Sequence, residues 1–234
     1  MHKTMEANNL IFEANLFPSQ KEELLKYFDV LEDYINRILE SDLEWHQDLK
    51  KVIQKSYTYI LKKLLFLKNN IEGDIDLIAW LSRSFLELYF LLRYAFKSEK
   101  NIKELINFPI YELTDIDKAI FEKGKPDTLK EEDEIFRKNL SIVIEKMKND
   151  GIEFNRDLSI SRKIAEESGL LNYYEVYFKL HSKYVHPTPY LLFGEEKFVY
   201  SNDALIMFRS LALHFVSVTI NDTIAFMDNN SVVI

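Results

Sequence analysis

The 234-residue sequence contains no cysteine and only 5 glycines and 5 prolines. Without cysteine the chain forms neither disulfides nor thiolate metal sites, and it has no thiol nucleophile. Glycine and proline supply the turns that sheet sandwiches need in number, so their scarcity favours long helices joined by few connections. The lack of cysteine also fits a reducing compartment, and we expect a cytoplasmic protein.

The chain also lacks a positive balance of charge, since its formal net charge is -8. Its overall charge therefore does not attract nucleic acid, although a local basic patch stays compatible with that balance. The first ten residues hold no apolar segment of signal-peptide length. The most apolar run, residues 75–96, is interrupted by Arg83, Glu87 and Arg93. Charges at these positions would be costly inside a bilayer, so we predict a buried helix and no membrane association.

Motifs that hold cofactors are absent from the sequence. It contains no glycine-rich phosphate loop, no dinucleotide-binding fingerprint and no G-x-S-x-G turn. It has no H-E-x-x-H motif, and His181 and His186 are five residues apart, which places them on different faces of a helix. We therefore predict neither a cofactor nor a bound metal.

Apolar residues recur at three- and four-residue steps along most of the chain, which predicts helices. The predicted helices cover residues 19–40, 43–68, 75–97, 101–107, 113–123, 128–149, 159–168, 173–186 and 203–227. Residues 198–200 are predicted to be a short extended segment. The pattern indicates an all-α, single-domain helical bundle of about seven to nine helices over residues 18–234. Residues 1–17 are predicted to be an arm that docks onto this body.

The helix that stops at His186–Pro187 concentrates reactive side chains. Proline lacks a backbone N–H and disfavours helical geometry in the residue before it, so we expect His186 at the last turn or just beyond it. Helical spacing places Glu175, Lys179, Ser182 and His186 on one face. A histidine can act as a general acid or base, and a lysine can neutralise a phosphate. The alternative is that His186 only caps the helix and Lys179 is a solvated surface residue.

The opposite face of the same helix carries a second histidine, His181, and several tyrosines.

The central predicted helix, residues 75–97, carries a pair of charges. Arg83 and Glu87 are four residues apart and can pair, with Tyr94 near the same azimuth. Charges in so apolar a helix are costly unless they are paired or functional, so the pair is either a structural ion pair or part of a site. Around these residues we assign binding roles to the following side chains: Tyr94, His181, Ser182 and Tyr184.

Two motifs resemble those of a family of uncharacterised bacterial helical proteins. They are Arg83-x-x-x-Glu87 on the central helix and Ser182-x-x-Val185-His186-Pro187 about a hundred residues later. That family is similar to the HEPN superfamily and to the abortive-infection proteins of the AbiV type. The resemblance implies a HEPN-like fold, a homodimer, and metal-independent cleavage of RNA in bacterial defence or as a toxin.

Active HEPN ribonucleases carry an arginine, then four to six intervening residues, and then their histidine. His186 matches the histidine, whereas the matching position holds Lys179 instead of arginine. The resemblance thus implies that His186 is the general acid or base, that Arg83 or Lys179 neutralises the phosphate, and that Glu87 orients Arg83 or His186. The alternative is a non-catalytic helical module that uses the same cluster as structural support. Such a module would bind a protein partner, for instance one from the same operon, or a small ligand.

Overall fold

The computed structural model describes residues 21–41, 47–117, 130–149 and 161–230. Within these ranges every regular element is a helix and no strand occurs. The prediction of an all-α helical bundle is therefore confirmed. The predicted arm, residues 1–17, lies outside the described residues.

The described residues form the following elements in chain order. They are α1 (Lys21–Glu40), α2 (Gln47–Asn69), α3 (Ile75–Ala95), α4 (Glu99–Asp117), α5 (Lys130–Asn149), α6 (Ser161–Glu167), α7 (Leu171–Tyr173), a π-helical turn (Tyr174–Phe178), α8 (Lys179–Val185), α9 (Pro189–Phe193), α10 (Glu196–Val199) and α11 (Asn202–Asn230).

Helix α3 is the centre of the fold. It packs against α2, α4, α6 and α8, and most extensively against α11. Its apolar side chains are buried on almost every side, as Ile78, Leu81, Phe85, Leu86 and Phe90 show with at most 1% of their surface exposed. Each such side chain contributes about 1.5–3 kcal/mol relative to an exposed position. A helix at the surface needs apolar residues along one stripe only. Because α3 is surrounded on almost every side, its sequence is apolar on almost all faces.

One described stretch, Glu196–Asn229, is long and apolar enough by composition to cross a membrane. Half of the 18-residue segment of this stretch that meets the hydropathy criterion is buried inside the fold. Its central part lies in α11, where Phe208, Ala212 and Phe215 are fully buried. These features are those of a core helix in a soluble protein.

The structure corrects the prediction of two short helices around Pro109. Helix α4 runs without a break from Glu99 to Asp117 and contains Pro109 in its interior. Proline inside a helix costs about 3 kcal/mol because it removes one backbone hydrogen bond. Burial offsets this cost, since Leu105, Ile106 and Phe108 in the preceding turn pack against the core.

The segment after His186 also differs from the prediction, because residues 198–200 are not extended. Helix α9 begins with Pro189 in its first turn, and the Thr188 hydroxyl accepts a hydrogen bond from the Leu191 N–H at 3.3 Å. The next short helix, α10, places Val199 in the core with no exposed surface. Two short helices thereby satisfy backbone groups that an irregular connection would leave to water.

The predicted stop of α6 at Gly169 is confirmed. Gly169 has a φ of 78°, a left-handed conformation that glycine adopts without steric cost. The Leu170 N–H donates to the Ala165 carbonyl at 2.6 Å, and the Gly169 N–H donates to the Glu166 carbonyl at 3.0 Å. This pattern closes the last turn of α6 and directs the chain towards α7.

Candidate functional site

Packing of α8 against α3 brings Arg83, Glu87 and His186 together. Nε of Arg83 donates a hydrogen bond to Oε1 of Glu87 at 3.0 Å, one helical turn along α3. Nη1 of Arg83 lies 3.1 Å from Nε2 of His186, at the end of α8. The two predicted motifs therefore meet in one cluster, which we call the Arg83–His186 cluster.

The aromatic ring of Phe178 packs against one face of the Arg83 guanidinium. The central carbon of the guanidinium lies 4.3 Å from the centre of the Phe178 ring, within the range of a cation–π contact. The Arg83 side chain is 16% exposed, the Glu87 side chain is 38% exposed, and His186 belongs to the exposed residues. The cluster thus has a fixed, partly desolvated guanidinium at its base and an imidazole at the surface.

The direction of the hydrogen bond defines the state of His186. A guanidinium only donates, so Nε2 of His186 accepts. The imidazole is therefore neutral in this arrangement, with its proton on Nδ1. An unprotonated imidazole nitrogen is the form that can take up a proton in general base catalysis.

The chain around His186 follows the prediction for a residue before proline. His186 is the C-cap of α8 and has an extended backbone with φ -120° and ψ 150°. Thr188 fastens the following turn, because its hydroxyl donates to the Lys183 carbonyl at 2.9 Å. The sharp exit from α8 directs the imidazole towards α3 instead of along the helix axis.

His181 lies in the core and not at the surface cluster. Its Nδ1 contacts the Tyr177 carbonyl, and its Nε2 lies 2.8 Å from the Ser82 hydroxyl of α3. Since a carbonyl only accepts, Nδ1 carries the proton and Ser82 donates to Nε2. The side chain is fully buried, and this burial lowers the pKa of His181 to about 4. The geometry is that of a neutral structural histidine that connects α8 to α3.

Lys179 and Ser182 lie on the helix that carries His186 but make no contact with the Arg83–His186 cluster among the described residues. The Ser182 hydroxyl donates to the Phe178 carbonyl of its own helix at 2.9 Å. Lys179 is exposed and makes no ion pair with a described residue. It lies two helical turns before His186, about 10 Å along the axis.

Tyr184 and Tyr94 are buried away from the cluster. The Tyr184 hydroxyl lies 3.4 Å from that of Tyr190, and its ring packs edge-on against Phe208. The Tyr94 hydroxyl donates to Oε2 of Glu104 on α4 at 2.5 Å. Tyr94 is eleven residues beyond Arg83, about 16 Å along α3. The structure therefore separates both tyrosines from the residues that meet at His186.

Two residues that support the site were not predicted from the sequence. Phe178 supports the guanidinium, and Ser82 holds His181. A signal for Phe178 was available, because Phe178, Ser182 and His186 follow each other at four-residue intervals and so share a face. Ser82 carried no such signal, since its partner is 99 positions away.

The described ranges hold no group of three or more histidine, aspartate or glutamate side chains arranged to bind a metal ion. The Arg83–His186 cluster places a proton acceptor beside a fixed positive charge. Such a pair can bind an oxyanion and move a proton at the same point.

No curated protein and no solved structure matches the chain. A family model described as "Family of unknown function (DUF5677)" matches residues 71–199, which run from the turn before α3 to the end of α10 and include Arg83, Glu87 and His186. More than half of the chain lies within this match, and the protein therefore belongs to the DUF5677 family.

Proposed function

We propose that this protein is a metal-independent endoribonuclease, related to the HEPN superfamily and acting in bacterial defence or as a toxin in the cytoplasm. One observation carries the proposal: the hydrogen bond of 3.1 Å between Nη1 of Arg83 and Nε2 of the exposed His186. It aims a permanent positive charge and a proton acceptor at the same point of the surface. An RNA phosphodiester requires both, one for its charged oxygens and one for the neighbouring 2′-hydroxyl.

The first step is binding of the phosphate. Arg83 has five N–H donors in a planar fork, and Glu87 occupies the one on Nε. The remaining donors match two phosphate oxygens. When the phosphate takes up the donors of Nη1, the hydrogen bond to His186 is lost and the lone pair on Nε2 becomes available. Substrate binding thereby frees the base.

The second step is proton transfer and bond exchange. Nε2 of His186 takes the proton of the 2′-hydroxyl, and the 2′ oxygen bonds to the adjacent phosphorus. The bond from phosphorus to the 5′ oxygen breaks, and that oxygen takes a proton from water. The hydroxide left behind takes the proton from His186, which restores the neutral imidazole. The products are one end with a 2′,3′-cyclic phosphate and one with a 5′-hydroxyl.

The other residues position this reaction. Glu87 and Phe178 fix the plane of the Arg83 guanidinium from its edge and its face. Fixed donors stabilise charge that develops in the transition state without a cost of reorganisation. Lys179, about 10 Å from His186 along the helix, is placed to contact a neighbouring phosphate.

The test compares the wild type with His186→Gln during induced expression in a bacterial host. We expect growth arrest and cleaved RNA with 2′,3′-cyclic phosphate ends from the wild type. With purified protein we expect cleavage in the presence of EDTA, and a loss of about 10²–10⁴-fold in His186→Gln. His214→Gln, on α11 against Tyr173 and outside the Arg83–His186 cluster, is the matched control and keeps full activity. Cleavage by His186→Gln at the wild-type rate, or no cleavage by the wild type, would overturn the proposal.

A second candidate function is supported by a separate observation beyond His186. Leu192, Phe193 and Phe198 on α9 and α10 are 62%, 84% and 62% exposed. Large apolar side chains grouped at a surface are typical of protein interfaces. We propose that they are the contact of a homodimer, as the resemblance implies. If the chain is not an enzyme, the same surface would serve a non-catalytic interaction module.

Sedimentation velocity tests the homodimer. We expect the wild type to sediment as a dimer and Phe193→Ser as a monomer with unchanged helical content. Phe66→Ser replaces another exposed phenylalanine, 45% exposed on α2, and keeps the dimer. A monomeric wild type would exclude a second copy as the occupant of this surface.

A further inference from the structure

Helix α2 is basic although the chain is acidic. It carries six lysines and a single acidic residue, Asp48, in a protein of net charge -8. One of the lysines, Lys68, is neutralised by α1, with its Nζ 2.6 Å from Asp29 and 3.6 Å from Glu32. The remaining charge of α2 is concentrated earlier in the helix.

Four residues of α2 follow each other at intervals of four: Lys51, Lys55, Tyr59 and Lys63. Side chains four residues apart are neighbours on a helix surface, so the four form one stripe, which we call the α2 stripe. It extends over about 18 Å. Its three lysines make no ion pair with any residue that the structure describes, unlike Lys68.

The α2 stripe meets an exposed tryptophan of α3. Nζ of Lys63 lies 4.0 Å from the centre of the Trp80 ring and 5.4 Å from that of Tyr59. Trp80 and Tyr59 are each 40% exposed. Burial, followed by the positive charge of Lys62, lowers the pKa of Lys63. A lysine destabilised by its surroundings in this way gains from a nearby anion.

The α2 stripe contacts α3 about one helical turn from Arg83, through Lys63 and Trp80. A short loop joins α2 to α3, so the two helices are antiparallel. Lys63 lies on Trp80, and Ser56 borders the same cavity as Leu88, so Tyr59 comes level with Arg83. Trp80 is three residues before Arg83 and lies roughly 60° around the helix from it. The stripe and the guanidinium therefore share one side of α3.

We infer that the α2 stripe, together with Trp80, is a binding track for single-stranded RNA that leads to Arg83 and His186. The direction of the track rests on the proposed function, whereas its binding of RNA does not. Lysines act as point charges for successive phosphates. Exposed aromatic rings stack on unpaired bases, and a duplex does not offer its bases in this way.

The far end of the track has a further feature. Lys51 and Lys55 border a cavity of about 270 Å³ whose remaining walls are mostly apolar side chains of α3 and α4. A cavity with an apolar floor and two cations at its rim suits an unstacked base with its phosphate. A bound strand would then extend from this cavity, past Tyr59 and Trp80, to Arg83 and His186.

Binding is measured in the full chain with His186→Gln, so that the probe stays intact. The probe is a labelled oligouridylate of about 12 nucleotides, followed by fluorescence anisotropy at several salt concentrations. We expect the triple variant Lys51→Gln, Lys55→Gln and Lys63→Gln to bind at least tenfold more weakly. Its salt dependence should fall by about 2 in the slope of log K against log salt, since each phosphate contact of a single strand contributes about 0.7.

The matched control removes the same charge elsewhere. Lys26, Lys138 and Lys148 are exposed and lie on α1 and α5, outside the α2 stripe, and we expect their replacement by glutamine to leave the affinity within about twofold. An equal loss in this control would mean that only net charge matters and would overturn the inference. Equal or tighter binding of a duplex with the same sequence would overturn it as well.

Trp80 supplies an independent readout. The sequence has two tryptophans, and Trp45→Phe leaves Trp80 as the single one. We expect RNA to quench its fluorescence, and Trp80→Ala to weaken binding about tenfold through the lost stacking. Unchanged fluorescence on saturation with RNA would contradict the track.

The two proposals fail in different ways. RNA binding that depends on the α2 stripe without any cleavage would leave the track in place and remove the ribonuclease. Cleavage that depends on His186 but is insensitive to the α2 stripe would do the reverse.

Discussion

Nη1 of Arg83 donates a hydrogen bond to Nε2 of His186 across 3.1 Å, although the two residues are 103 positions apart in the chain. The bond exists only because α8 packs against α3, and Nε2 of His186 is its acceptor because a guanidinium only donates. A proton on Nε2 would remove the acceptor, so the two residues cannot both donate at this point. The arrangement couples the charge state of the histidine to the position of the guanidinium.

Replacement of Arg83 by lysine tests this coupling. Lysine keeps the charge but loses the planar fork and the donor on Nε that Glu87 accepts. We expect single-turnover cleavage of RNA to fall about 100-fold, since fixed donors at a developing charge contribute at about this level. In the double variant with His186→Gln the losses should not multiply, because both residues act in one unit.

Arg37→Lys is the control for this substitution. Arg37 also pairs with a carboxylate four residues away, Asp33, but is exposed on α1. Its replacement should leave cleavage unchanged. Losses that multiply fully in the Arg83 and His186 double variant would show that the two residues act separately.

Acid should destabilise the fold through His181. The pKa of His181 is about 4 in the folded protein because the side chain is buried, against 6.5 for an unperturbed histidine. Between pH 6.5 and 4 the unfolded chain binds a proton that the folded chain does not bind. The free energy of unfolding therefore falls as the pH falls through this range, by about 3 kcal/mol in total, and the contribution is complete above pH 6.5.

Urea unfolding at pH 7, 5.5 and about 4 measures this loss in the wild type and in His181→Gln. The glutamine amide can still accept from Ser82 and donate to the Tyr177 carbonyl but does not titrate. Burial lowers the pKa of His214 as well, so His214→Gln serves as the comparison for a second histidine. If His181→Gln keeps the wild-type dependence on pH, the buried imidazole is not its source.

Tyr94 should matter for stability and not for the reaction. Its hydroxyl donates to Glu104, whose side chain is only 7% exposed. Tyr94→Phe leaves Oε2 of Glu104 without this donor, while Nζ of Lys100 remains 3.8 Å from Oε1, and we expect a loss of about 1–3 kcal/mol in thermal or urea unfolding. Combination with Glu104→Leu should recover part of the loss, because it removes the stranded acceptor too. A defect in RNA cleavage below the unfolding transition would instead place Tyr94 in the site.

Gly169→Ala tests the stop of α6. A Cβ at this position would meet no atom within 4 Å, so any cost comes from the backbone. At a φ of 78° that cost is about 1–2 kcal/mol for an L-residue. Gly169→Asn should lose less, since asparagine tolerates the left-handed conformation, and urea unfolding ranks the two. Equal stability of Gly169→Ala and the wild type would contradict this account.

Local patterns explain what the sequence predicts well. The apolar character of residues 75–96 on all sides predicts a surrounded helix, and α3 is that helix. The four-residue spacing of Arg83 and Glu87 predicts their pairing, which the structure confirms. The proline after His186 predicts where α8 ends. In each case the interaction is contained within a few turns of one element.

Tertiary packing decides what the sequence does not predict. Pro109 remains inside α4 because its neighbours are anchored in the core, a gain that no propensity contains. His181 bonds to Ser82 across the α3–α8 interface, and periodicity alone does not identify a partner on another helix. The net charge is a sum over the whole chain, so its value of -8 does not reveal that α2 carries an excess of lysine.

The π-helical turn at Tyr174–Phe178 has a consequence for the phase of the helix beyond it. Such a turn accommodates one more residue than an α-helical turn, and each residue advances an α-helix by about 100°. Every side chain after Phe178 therefore faces about 100° away from the direction it would have in an uninterrupted α-helix of the same sequence. Without this turn the unchanged sequence would direct His181 out of the core and His186 away from Arg83, whereas deletion of one residue between Tyr174 and Phe178 would leave an ordinary α-helical turn and keep both orientations. The phase of one helix, as much as its composition, brings Arg83 and His186 together.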